Sequence, residues 1–127
     1  MKVLKFSSTG PDALYLTKAD IFFGVLFTLA IFRNGWPEGK LGSQMTLQQA
    51  LDWFREMFHG GLTGNRLHIA SRKTARQDLD LRIEKILSYV VVMGEESDIT
   101  MLLNSGVVTE KTGKRARRNT KPAVINP

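Results

Sequence analysis

Cysteine is absent from the 127 residues, which excludes a disulfide framework and any thiolate metal site. Histidine is scarce. His59 and His68 are the only two, and without cysteine they cannot complete a standard structural zinc site. His59 falls at a predicted helix end, where it complements the dipole, and His68 falls in a basic helical turn as a surface or packing residue. No metal and no cofactor is expected. A membrane-length apolar run is missing too. Residues 21–32, IFFGVLFTLAIF, carry no charge, but at helical rise they cover roughly 18 Å, against a hydrocarbon core of about 30 Å. Asp20 precedes the run and Arg33 follows it, and no small-residue cleavage site lies behind it. Neither a spanning helix nor a signal peptide is expected, so the reading is a soluble chain, cytoplasmic or virion-associated.

Catalytic motifs are also missing. Residues 60–66, GGLTGNR, look superficially like a phosphate loop but lack its Gly-Lys-Ser/Thr ending and follow no strand. Asp52 and Glu56 share a helical face, which reads as a solvated face rather than an acid–base pair. No nucleophile and base are marked by spacing, and no small-molecule site is evident. The chain is expected not to be an enzyme.

What is present is helical periodicity. The uncharged run reads as a buried central helix over 17–33, with Thr17 and Asp20 at capping-box spacing and Asn34-Gly35 as its stop. Phe23, Leu26 and Phe27 are expected to meet Ile83, Ile86 and Val90. A second helix opens with Thr46-Leu47-Gln48-Gln49, another capping box, and carries Leu47, Ala50, Leu51, Phe54 and Phe58 at helical spacing, with Trp53 beside them. From residue 66 to 93 there is no Gly or Pro. Leu79, Ile83, Ile86, Val90 and Met93 are spaced as the seam of a long helix. Arg76–Asp80 and Asp78–Arg82 are i,i+4 pairs on it. Glu95 to Asp98 give an acidic start to a short fourth helix, which Asn104-Ser105-Gly106 ends. The expected fold is all-α: a small bundle of three main helices and a short fourth over 17–106, an extended arm over 1–16, and a basic tail or linker over 107–127. No segment of the body over 17–106 is expected to be a strand.

Charge separates body from tail. Residues 1–106 hold twelve Lys and Arg against eleven Asp and Glu. Residues 107–127 hold Lys111, Lys114, Arg115, Arg117, Arg118 and Lys121 against Glu110 alone. Such a run can contact an acidic protein surface or the phosphates of a nucleic acid; with no aromatic for base stacking, nucleic-acid contact would be blind to sequence. A second basic group, Arg66, Arg72, Lys73 and Arg76, lies near the positive end of the long helix. That placement is unfavourable unless the end frays, or an acidic partner or another part of the chain covers it.

Trp36-Pro37, the run 72–89 leading into Tyr89-Val90-Val91, and the stretch 94–107, GEESDITMLLNSGV, resemble the helical modules that precede fibronectin type III domains in uncharacterised bacterial and phage-associated proteins. The resemblance implies a helical accessory or attachment module and supplies no catalytic residue. This chain ends at Pro127, where such a sandwich would begin. The expected function is a non-enzymatic structural component of a larger protein complex, through a protein partner or self-assembly. The tail and the Arg66–Arg76 group are its expected contact residues. The alternative is sequence-independent nucleic-acid binding through the tail.

Overall fold

The computed structural model describes residues 2–61 and 66–112, with side chains described for 3–59 and 70–111. The described chain is mostly helical. It also holds a strand pair that periodicity did not reveal: β1 (Lys2–Phe6) lies antiparallel to β2 (Val108–Thr112), in a register running from Lys2 opposite Thr112 to Phe6 opposite Val108. Residues 2–6 of the expected arm and residues 108–112 of the expected tail are therefore one small sheet, while residues 12–16 of that arm are helical. Alternation explains the faces. Leu4 and Val108 are buried and Phe6 half-buried, whereas Val3, Lys5, Thr109 and Lys111 face outward.

Among the described residues, six helical segments lie between the strands. α1 (Asp12–Leu26) starts directly behind Pro11, whose fixed φ suits a helix entry, five residues before the expected cap. Thr17 is inside the helix, and its hydroxyl donates to the Ala13 carbonyl. α1 is not enclosed all round. Tyr15, Ala19, Phe22, Phe23 and Leu26 are buried, while Leu14 and Ile21 are 46% and 40% exposed. Phe27, expected in the core, is the half-buried C-cap.

The helix expected to reach residue 33 breaks at residues 27–29. Leu29 turns extended and is fully buried, and α2 (Ala30–Arg33) follows as a single turn. The cap of the restart lies far away in sequence. The buried carboxylate of Asp98 accepts the Ala30 N–H at 3.1 Å and the Glu95 N–H at 3.2 Å, so one side chain caps two helix starts. Gly35 closes this region at φ 76°, as an Asn-Gly stop requires.

The polar loop then contains a turn, α3 (Glu38–Leu41), held by the Trp36 indole N–H on the Gly42 carbonyl at 2.9 Å. α4 (Gln44–Gly61) is capped by Ser43 rather than Thr46; the Ser43 hydroxyl accepts the Thr46 N–H. α5 (Arg66–Met93) is helical over all 28 residues. Ala75, Leu79, Ile83, Ile86, Leu87 and Val90 are buried on it, but Met93 is 61% exposed, so the seam stops one step early. α6 (Glu96–Asn104) has the expected acidic start, with Glu95 and Asp98 forming a reciprocal capping box.

α4 and α5 form the most extensive helix contact, α1 rests on α4, and α6 touches α1 and β2. One core runs through all of them. Nine rings form an unbroken series of contacts inside it: Phe54, Tyr15, Phe6, Phe22, Phe23, Phe27, Phe32, Trp36 and Tyr89, with neighbouring centroids 4.9 to 5.9 Å apart. Edge-on and tilted pairs of this kind add to stability beyond the area they bury. Among the described residues no helix is long and apolar enough to cross a membrane.

Candidate functional site

The densest polar cluster lies where the start of α1 meets the first half of α5. Gly10, at φ 101°, turns the chain from β1 into α1. This turn brings the Ser8 and Gly10 carbonyls and the Asp12 carboxylate to α5. Asp12 is bidentate across two arginines: Oδ2 meets Arg72 Nε at 2.8 Å and Oδ1 meets Arg76 Nη1 at 2.7 Å. The other amino group of Arg76 donates to the Ser8 and Gly10 carbonyls at 2.7 and 3.0 Å. Its guanidinium lies 4.3 Å from the Tyr15 ring centroid, close enough for cation–π attraction. Tyr15, fully buried, donates its hydroxyl to Asp80 Oδ1 at 2.6 Å.

Another part of the chain, around Asp12, therefore meets two basic residues in the first half of α5, Arg72 and Arg76. The i,i+4 pair Arg76–Asp80 does not form, because Arg76 turns to Asp12 and Asp80 to Tyr15. The companion pair Asp78–Arg82 does form, at 2.8 Å. On α4, Asp52 accepts from Gln48 and Arg55, and Glu56 is exposed.

Of the basic contact residues read from the sequence, the structure brings together Arg72 and Arg76 on one carboxylate. Lys73 is exposed beside them and forms no ion pair among the described residues. Arg66 opens α5, with its side chain outside the described residues. Lys111 is exposed on β2 opposite Val3. Lys114, Arg115, Arg117, Arg118 and Lys121 lie outside the described residues. His59 is exposed, its ring near that of Phe58, and the His68 side chain lies outside the described residues. No group of three or more His, Cys, Asp or Glu that could hold a metal ion occurs among the described residues.

Burial pushes the Tyr15 hydroxyl well above its ordinary range. Its hydrogen bond to Asp80 and that carboxylate's charge add to the shift, and Arg76 works against it. A phenol so placed holds its proton and makes a poor acid or base near neutrality. The cluster is suited to clasping α1 onto α5. It follows that alkaline stability should depend on Tyr15. Up to a pH of about 10 both folded and unfolded chains keep the proton. Above it the unfolded chain releases a proton that the folded chain retains, so Tyr15 makes stability fall by up to about 1.4 kcal/mol per pH unit. Denaturant titrations of Tyr15→Phe and the parent at neutral and alkaline pH check this. The variant should be less stable at neutral pH, by about 1–2 kcal/mol for a lost bond to a carboxylate, and the gap should narrow as pH rises. A gap constant with pH would contradict it.

Comparison with protein families, characterised proteins and solved structures finds no match to this chain.

The residues that periodicity missed are Asp12, Tyr15 and Asp80. A faint signal existed in Gly10-Pro11-Asp12, a turn followed by a helix-favouring proline and an acid in the first helical turn.

Proposed function

We propose that the protein is a non-enzymatic, bundle-like assembly or attachment module, a structural component of a larger protein complex. The observation that carries this reading is the pairing of the two terminal strands. Lys2 stands opposite Thr112, so the two ends of the described chain lie side by side. Contacts made through both strands would act from one place, as suits a connector. Arg72 and Arg76 are occupied by Asp12, whereas Lys73 and Lys111 are exposed, and the sequence from 113 to 127 adds five basic and no acidic residues that suit an acidic partner. The likeness to modules preceding fibronectin type III domains points the same way.

Light scattering of the full chain and of a chain ending at Thr112 tests the reading. The cut must follow Thr112, because Val107 and Val108 are core residues and β2 pairs with β1. The full chain should assemble or capture a defined protein partner over at least about 1,000 Å² of buried surface, the level expected of a specific contact. The shortened chain should remain monomeric. A full chain that stays monomeric at high concentration and captures no partner from its native source would overturn the proposal. The confinement of the basic excess to the tail favours nucleic acid as the second reading. Retardation of unrelated DNA sequences with a log–log salt slope of about −3 to −4, as four phosphate contacts require, would support it.

A further inference from the structure

α5 carries a second seam besides the one that enters the core. Ala70, Lys73, Gln77, Asp80, Glu84 and Leu87 are spaced 3, 4, 3, 4, 3, the repeat that keeps one flank of a helix turned to a neighbouring helix. The core seam, Leu79–Ile83–Ile86–Val90, is buried, whereas Ala70, Lys73, Gln77 and Glu84 are exposed. All six residues of the second seam line one of two clefts that share Asp80. One cleft, of about 500 Å³, lies between α5 and Asp12. The other, of about 360 Å³, lies between α5, residues 4–9 and Thr109. Lys73 and Glu84 form no ion pair among the described residues. They stand about 16 Å apart along the helix, too far to pair with each other.

We propose that a second copy of the chain packs on this flank, with its α5 antiparallel to the first. The seam is self-complementary in that orientation. Setting Gln77 level with Asp80 of the second copy also sets Lys73 level with Glu84, and Ala70 level with Leu87. A two-fold axis then repeats each pair, as a closed contact between identical copies requires. Asp80 has one carboxylate oxygen beyond that which accepts the Tyr15 hydroxyl, and the Gln77 amide of the second copy can donate to it. Leu81, 59% exposed, stands beside the seam and adds apolar area.

Charge selects this arrangement over its neighbours. Parallel helices would set Lys73 against Lys73 and Glu84 against Glu84, and juxtaposed like charges are costly. Sliding the antiparallel pair by one heptad sets Asp80 against Glu84 in one direction and against Ala70 in the other. Either slide loses both Lys73–Glu84 pairs. The face is largely polar, so the contact is weak alone and sensitive to salt. It rests on the assembly reading, in which contacts elsewhere hold copies close and raise their effective concentration.

Crosslinking and sedimentation of the full chain test the contact. The chain has no cysteine, so Lys73→Cys combined with Glu84→Cys reports on this pair alone. Within one copy the two positions are too far apart for a disulfide. Under oxidation the combined variant should form a covalent dimer, and Lys73→Cys by itself should not. At low salt Glu84→Lys should weaken self-association several-fold, and adding Lys73→Glu should restore it. Both positions are exposed, and a melting temperature equal to the parent's would show that the fold is kept. Self-association unchanged by Glu84→Lys would overturn the contact. Covalent dimers formed as fast by Lys73→Cys alone would overturn the antiparallel register. A full chain that captures a different protein without self-associating would overturn the contact and leave the module reading standing. A chain that does neither removes both.

Discussion

Phe22→Ala is expected to lower stability by about 3–5 kcal/mol, as is typical for truncating a core aromatic. Phe22 is fully buried, and its ring meets Phe6 of β1 on one side and Phe23 on the other. Removing it empties a ring-sized volume at the junction of sheet and helix and interrupts the aromatic series in its middle. Stability of domains generally totals about 5–15 kcal/mol, so the loss is a large share. Phe27→Ala serves as the comparison. Phe27 is only half-buried at the end of α1, so its loss should be clearly smaller. Urea denaturation of both variants decides the matter: an unchanged midpoint for Phe22→Ala would place the ring outside the core.

Asp98→Ala should be the second most damaging change, at about 3 kcal/mol. Asp98 is 2% exposed, and its two oxygens serve the Ala30 and Glu95 N–H groups at the starts of two different helices. Truncation leaves two helix-start donors without their partner, each costing about 1–3 kcal/mol where water cannot replace it. Asp98→Asn keeps one carbonyl oxygen and should lose roughly half as much, since one of two bonds survives. Thermal unfolding of the pair separates the possibilities. If the two variants lost equally, or neither lost anything, the double cap would not hold the helices as described.

The helical segments whose signals are local were legible in the sequence. The seam Leu79–Ile83–Ile86–Val90, the acidic start of α6 and the Asn-Gly stop each depend on neighbours within a turn or two, and all appear where the spacing placed them. Features with distant partners were not. The turn that follows the break after Leu26 is capped by an aspartate 68 positions beyond Ala30. Run together, residues 21–32 look like one uninterrupted helix because the partner that caps the restart is outside any local window. The strands failed for the same reason. Lys-Val-Leu-Lys-Phe is too short to announce itself, and its ladder partner is a hundred residues away. Arg72 and Arg76 were visible as a basic group, but their shared counterion, Asp12, sits on another helix.

The pairing of β1 with β2 also orders events in time. On a growing chain, residues 2–6 emerge long before residues 108–112 and must wait for them before any of their ladder bonds can form. Closing so long a loop carries an entropic cost that grows only slowly with length, but it cannot begin until the partner exists. The intervening helices rest largely on nearer contacts and have no such delay. α4 and α5 in particular are consecutive and share the largest interface. During synthesis β1 is thus an unpaired, Val-Leu-Phe-bearing segment while the helices gather, and its ladder with β2 forms late.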